Sequence, residues 1–223
     1  MIKYSKNIGV KFHEDGSVRR FPGNSIISKI NEQHSIYKHL IHIKNMFQDT
    51  KVASKYTFLP TDSYHMTVID LVCDEIREKN KWSEKLPLDI SLEETDNYFK
   101  DALLSVQELG TIRMKFDVLF ISPTVFVVRL FPETEEQESK LKVFREQVAL
   151  ATGVRHSNHE TYRFHVSFAY LIELLGEEDE KELKDLENKI NQYLRTVDDV
   201  FELDAPELVL FKDMFSFPTE RPQ

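Results

Sequence analysis

Two short runs alternate polar and apolar side chains in the same way. Tyr64-His65-Met66-Thr67-Val68 and Phe164-His165-Val166-Ser167-Phe168 each set a histidine two residues before a hydroxyl, among apolar and β-branched neighbours. In extended chain, positions i and i+2 share a face. His65 and Thr67 therefore point one way and Met66 and Val68 the other. His165 and Ser167 likewise oppose Phe164, Val166 and Phe168. One such pair on a strand is ordinary, but two in matching settings about a hundred residues apart describe a site built from two halves.

The surrounding pattern supplies the elements. Val10 to Phe21 reads as a hairpin about Asp15-Gly16, and Pro22-Gly23-Asn24 as the next turn. Ser25 to Ile30 is a strand. From His34 to Gln48, Ile36, Tyr37, Leu40, Ile41, Ile43, Met46 and Phe47 recur at helical spacing. Tyr56 to Pro60 is extended, the first histidine strand runs from Tyr64 to Val72, and residues 74–90 form a polar connection. Ser91-Leu92-Glu93-Glu94 is a capping box, opening a helix expected to reach Leu109 before Gly110. Strands follow at Ile112 to Ile121 and Val125 to Phe131, then a helix from Glu133 to Ala151. The second histidine strand is Phe164 to Ile172. A charged helix from Glu177 to Leu194 leads to extended segments at Val200–Leu203 and Glu207–Phe211. Helices and strands alternate in both halves. The expected fold class is α+β, a single bilobal domain over residues 1–223 with antiparallel sheets, outer helices and a central groove.

Composition narrows the partners. The net charge of −9 and the lack of a Lys/Arg block exclude a long duplex held by its backbone, though not a local basic pocket for one or two phosphates. A single cysteine, Cys73, allows no internal disulfide and points to a reducing compartment. With neither a signal-peptide layout nor an apolar run near the ~20 residues of a membrane span, the expected place is the cytoplasm, without membrane contact. The protein is expected to be a monomer.

The motifs also carry a resemblance. His65-Met66-Thr67-Val68 and His165-Val166-Ser167-Phe168 resemble the paired H-x-[ST]-hydrophobic signatures of the two-histidine (2H) phosphoesterase superfamily, which includes RNA 2′,3′-cyclic phosphodiesterases. Pro22-Gly23-Asn24, Tyr64 before one motif and Tyr162-Arg163-Phe164 before the other resemble a less characterised branch. Ser167 stands where many members have Thr and keeps the hydroxyl. The resemblance implies a pseudo-symmetric bilobal fold with one tetrapeptide from each lobe facing a central groove.

The chemistry agrees. Cleaving a phosphodiester without metal needs a base for the nucleophile and an acid for the leaving oxygen, and two imidazoles supply both near neutral pH. Thr67 and Ser167 are placed to donate to the non-bridging oxygens. The expected activity is a metal-independent phosphodiesterase, with no cofactor, acting on a small nucleotide or RNA-end phosphodiester (a 2′,3′-cyclic phosphate or a 2′-5′ linkage). His65 and His165 are its acid–base pair. The alternative is a non-catalytic module that binds a nucleotide or RNA end.

Further substrate-binding candidates are Arg163, on the parity of His165, and Asn24, in the Pro-Gly-Asn turn. Tyr64 and Tyr162 are others, although their parity puts both with the core. Arg129, a cation in an apolar strand, needs either a carboxylate or a substrate phosphate as partner. His39 with His42 and His156 with His159 have metal-like spacing but no accompanying ligands at a recognised spacing, so no metal site is expected.

Overall fold

The computed structural model describes residues 2–221. Eight strands form one sheet in the order β7-β4-β5-β6-β3-β1-β8, with β2 beside β6 and every strand pairing antiparallel. The strands are β1 (Gly23–Lys29), β2 (Tyr56–Phe58), β3 (His65–Cys73), β4 (Ile112–Ile121), β5 (Val125–Pro132), β6 (His165–Leu171), β7 (Phe201–Leu203) and β8 (Glu207–Phe211). The helices are α1 (Ser35–Gln48), α2 (Leu92–Leu103), α3 (Glu135–Thr152) and α4 (Glu177–Leu194). The α+β class is as expected. The two expected lobes share one sheet, whose halves β8-β1-β3 and β6-β5-β4-β7 meet through the Met66↔Val166 pair.

Helix positions follow from local chemistry. On α1, Ile36, Leu40, Ile43 and Phe47 form one fully buried stripe. Phe47 stacks on Phe126 of β5 at 4.2 Å, and Phe126 meets Phe168 of β6 at 6.1 Å, so α1 covers the sheet behind the second motif. Burying each such ring stabilises the fold by about 1.5–3 kcal/mol. Ser91 caps α2 by the reciprocal bonds its sequence implies. That helix ends at Leu103 rather than Leu109, since Leu104 already lies 86 % exposed with nothing to cover. Thr134 caps α3 at one end and left-handed Gly153 (φ 71°) closes it. In α4, four acidic residues fill the first turn, where the helix dipole favours them.

Pro22-Gly23-Asn24 is not a turn. Gly23 opens β1 and pairs with both Cys73 and Phe211. A Cβ there would stand 2.5 Å from the Val72 carbonyl oxygen, so glycine lets three backbones converge. The expected hairpin of residues 10–21 is a looser loop, bridged at Phe12↔Val18 and turned at Gly16 (φ +79°). No described helix is long and apolar enough to cross a membrane.

Candidate active site

β3 and β6 run side by side, and each carries a bulge at the same point. In β3, Thr67 pairs with Ile27 and Ile69 with Ile26, which leaves Val68 as the extra residue. In β6, Ser167 pairs with Val127 and Ala169 with Phe126, which leaves Phe168 extra. Past each bulge the alternation shifts by one. His65, Thr67 and Asp70 therefore share one face, as do His165, Ser167 and Tyr170. All six line a cleft of about 640 Å³. Met66, Val68, Val166 and Phe168 back into the core, each fully buried.

The imidazoles are anchored identically. His65 Nδ1 lies 2.7 Å from the Ser63 carbonyl oxygen and His165 Nδ1 lies 2.8 Å from that of Arg163. A carbonyl only accepts, so each Nδ1 carries the proton and donates. Each Nε2 is thereby left for the cleft, as a lone pair on the neutral ring or a donor on the charged one.

Their surroundings differ. Phe217 lies against the His65 ring, centroids 4.2 Å apart. Burial pushes His65 from 6.5 down to about 4, with a small further contribution from His165 and opposition from the Ser63 hydrogen bond and Asp70. His65 is thus neutral at neutral pH. The His165 anchor lies at the solvent side.

Of the other expected residues, Tyr162 lines the cleft, contrary to its parity, because residues 161–164 precede β6 and do not follow strand alternation. The Arg145 guanidinium lies 4.4 Å from the centre of its ring. Its hydroxyl is buried without a hydrogen-bond partner at good geometry, and burial pushes the phenol well above its usual value, so it remains an O–H donor.

Three candidates take other places. Arg163 is exposed away from the cleft and contributes its carbonyl rather than its guanidinium, because the chain there is not yet a strand. Tyr64 is core, 2 % exposed with its ring 5.3 Å from Phe168. Asn24 reaches the cleft wall, but its side chain is committed: it accepts from the Val72 N–H (3.0 Å) and donates to Asp96 (2.9 Å). Asp96 in turn holds Arg221, which ties β1, α2 and the segment carrying Phe217 together. Arg129 pairs across the sheet with His165, its guanidinium 3.9 Å from the centre of the Phe120 ring.

Sequence parity missed Asp70 and Tyr170 because a strict two-residue repeat turns both away. The signal was present as two successive apolar residues after each hydroxyl, Val68-Ile69 and Phe168-Ala169. Phe217 and Lys11, also on the cleft, come from distant segments with no motif.

Among the described residues, Glu146, His159 and Glu160 have ligand atoms within 4.8 Å of one another. Arg155 already bonds both carboxylates. His39 Nδ1 lies 2.6 Å from the Tyr193 hydroxyl, and His156 Nε2 donates to the Leu71 carbonyl at 2.8 Å.

Residues 11–124, just over half of the chain, match the family described as 2H-phosphodiest, a domain of unknown function (DUF1868). The chain belongs to the 2H phosphoesterase superfamily. The matched span carries the first 2H motif and ends before β6, so the second motif is joined to it here by the sheet. The fold is similar to that in the crystal structure of the conserved protein of unknown function ATU0111 from Agrobacterium tumefaciens strain C58. The two share 26 % identity at a TM-score of 0.87, over 98 % of this chain and 92 % of that one. TT0787 of Thermus thermophilus aligns at 13 % identity and a TM-score of 0.45, over 86 % and 87 % of the two chains. No curated protein matches.

Proposed function

We propose that the protein is a metal-independent phosphodiesterase acting on a small nucleotide or RNA-end phosphodiester, a 2′,3′-cyclic phosphate or a 2′-5′ linkage. The observation that carries this reading is the matched anchoring of His65 and His165, which presents two Nε2 atoms to one cleft beside two hydroxyls.

For a cyclic phosphate, water attacks phosphorus, a new P–O bond forms and the bond to one ribose oxygen breaks. His65, held neutral by burial, takes the proton of the attacking water. His165, its Nε2 facing the cleft, serves as the acid and gives a proton to the leaving ribose oxygen. Solvent then restores both rings to their starting forms. Thr67, Ser167 and Tyr162 donate to the non-bridging oxygens, where negative charge grows. The acidic chain and compact cleft favour a small ligand over a long strand, and the lone cysteine favours a cytoplasmic setting. We regard the working form as a monomer.

The test uses EDTA-treated protein with the four 2′,3′-cyclic mononucleotides and with 2′-5′ and 3′-5′ dinucleotides, followed by phosphorus NMR. At least one member is turned over by wild type, and His65→Ala and His165→Ala each slow it by about 10²–10⁴-fold. Binding without turnover by wild type would make the protein a nucleotide-binding module instead. Activity that survives both substitutions would place the chemistry elsewhere.

A further inference from the structure

Residues 4–21 cross from one half of the sheet to the other. At one end, the Ser5 N–H donates to the Ile172 carbonyl (2.8 Å) and the Asn7 amide to the Thr124 and Leu171 carbonyls (2.7 and 2.9 Å). At the other end, the Pro22 carbonyl accepts the Asp74 N–H beyond β3 (2.8 Å). Lys11 lies midway and is fixed on both sides. Its N–H donates to Asn7 (2.9 Å) and its carbonyl accepts from Arg19 (2.8 Å).

The Lys11 ammonium lines the cleft, 4.8 Å from the centre of the Tyr170 ring and 5.2 Å from that of Phe21. The other ammonium lining the cleft, that of Lys81, is paired with Glu78 at 3.2 Å. Lys11 makes no ion pair among the described residues. In a chain of net charge −9, this is a cation held in the cleft by aromatic rings and left without a carboxylate.

We propose that Lys11 forms a second anion subsite, which binds a phosphate group of the substrate other than the one being cleaved. The inference rests on the phosphodiesterase reading of the histidines. A compact ammonium suits a phosphate as a point charge, and partial desolvation between two rings strengthens that attraction. Asp70, on the same cleft face, repels a phosphate set beside it, which assigns the second phosphate to the Tyr170 side. A cleft of about 640 Å³ has the size of a whole small-ligand site rather than of a single phosphate. The substrate class is thereby narrowed to a nucleotide bearing a second phosphate, such as a 5′-phosphorylated 2′,3′-cyclic nucleotide or a dinucleotide, in preference to a bare nucleoside cyclic phosphate.

The experiment compares wild type with Lys11→Met and Lys11→Arg. Calorimetry gives the affinity for a nucleoside 3′-monophosphate and for its 3′,5′-bisphosphate. In parallel, turnover is followed on a 2′,3′-cyclic nucleotide with and without a 5′-phosphate. Wild type is expected to prefer the doubly phosphorylated member by about tenfold, the worth of one charge-assisted contact. Lys11→Met removes that preference while monophosphate affinity stays constant, and Lys11→Arg keeps most of it. Equal wild-type affinities overturn the subsite, as does a preference that survives in Lys11→Met. Should the Met variant fail to fold, Lys11→Gln provides the same readout. A Lys11-dependent preference without turnover of either cyclic compound would uphold the subsite and sink the hydrolytic reading. Turnover with no preference would do the reverse.

Discussion

β3 and β6 carry one device in two settings. In each strand a histidine is tied through Nδ1 to the carbonyl two residues earlier, a hydroxyl follows two residues later, and a bulge comes next. The two part company in what covers and braces them. Phe217 lies over His65, whereas the His165 anchor is at the solvent side. The carbonyl of the bulged Val68 is held by the Arg145 guanidinium, and that of Phe168 by the Leu59 backbone N–H at 2.8 Å. Duplicated backbone geometry positions two imidazoles alike, while their surroundings make one a ring that stays neutral. The proposed acid and base would thus be drawn from the same residue type.

The comparison breaks most visibly at its braces. Arg145 is 5 % exposed and also donates to the His159 carbonyl at 2.9 Å. Arg145→Met leaves two buried carbonyls without a donor and is expected to cost about 2–4 kcal/mol in urea unfolding. Hydrogen exchange should quicken in β3 well before β6, which keeps its backbone donor. An equal response in both strands would mean that the bulges are not braced independently.

A smaller change sharpens the contrast between the histidines. Phe217→Ala admits water to His65, and its pKa should rise from about 4 towards 6.5, as read by NMR titration. The acid limb of the rate profile moves up with it. Stability follows the same group. His65 resists protonation when folded, so the stability present above pH 6.5 is lost as pH falls towards about 4, in total about 3 kcal/mol. Phe217→Ala shrinks that loss. If the His65 titration does not move, something other than Phe217 keeps water from the ring.

Smallest of all is Arg163→Ala. The side chain is exposed and only its carbonyl serves His165, so stability should stay within about 0.5 kcal/mol and turnover should hold. A large fall in turnover would mean the guanidinium swings into the cleft when substrate is present.

What the chain reveals about itself follows the range of each interaction. The limits of α4, the capping box of α2 and the facing of His65 with Thr67 depend on neighbours within a few residues, and they are legible directly. The end of α2 was not, because Leu104 looks helical until the absence of a covering surface is known. Asp70 and Tyr170 were hidden by bulges that a two-residue repeat does not contain. Asn24 has the look of a turn residue, and its role is set by Asp96 and Val72, far along the chain. Lys11 and Phe217 reach the cleft only through the path of distant segments, which no local pattern records.

The Met66↔Val166 pair has a kinetic side. It joins strands separated by about a hundred residues, and the halves of the sheet meet nowhere else among the described strand pairs. Closing so long a loop must be offset before the contact gives any return, which makes non-local strand pairing slow. The groups proposed to act on a substrate are therefore brought together by a non-local contact, although the β1–β8 pairing closes a longer loop still. Until that seam closes, His65 and His165 lie on separate halves of the sheet, and the proposed two-histidine cleft is incomplete.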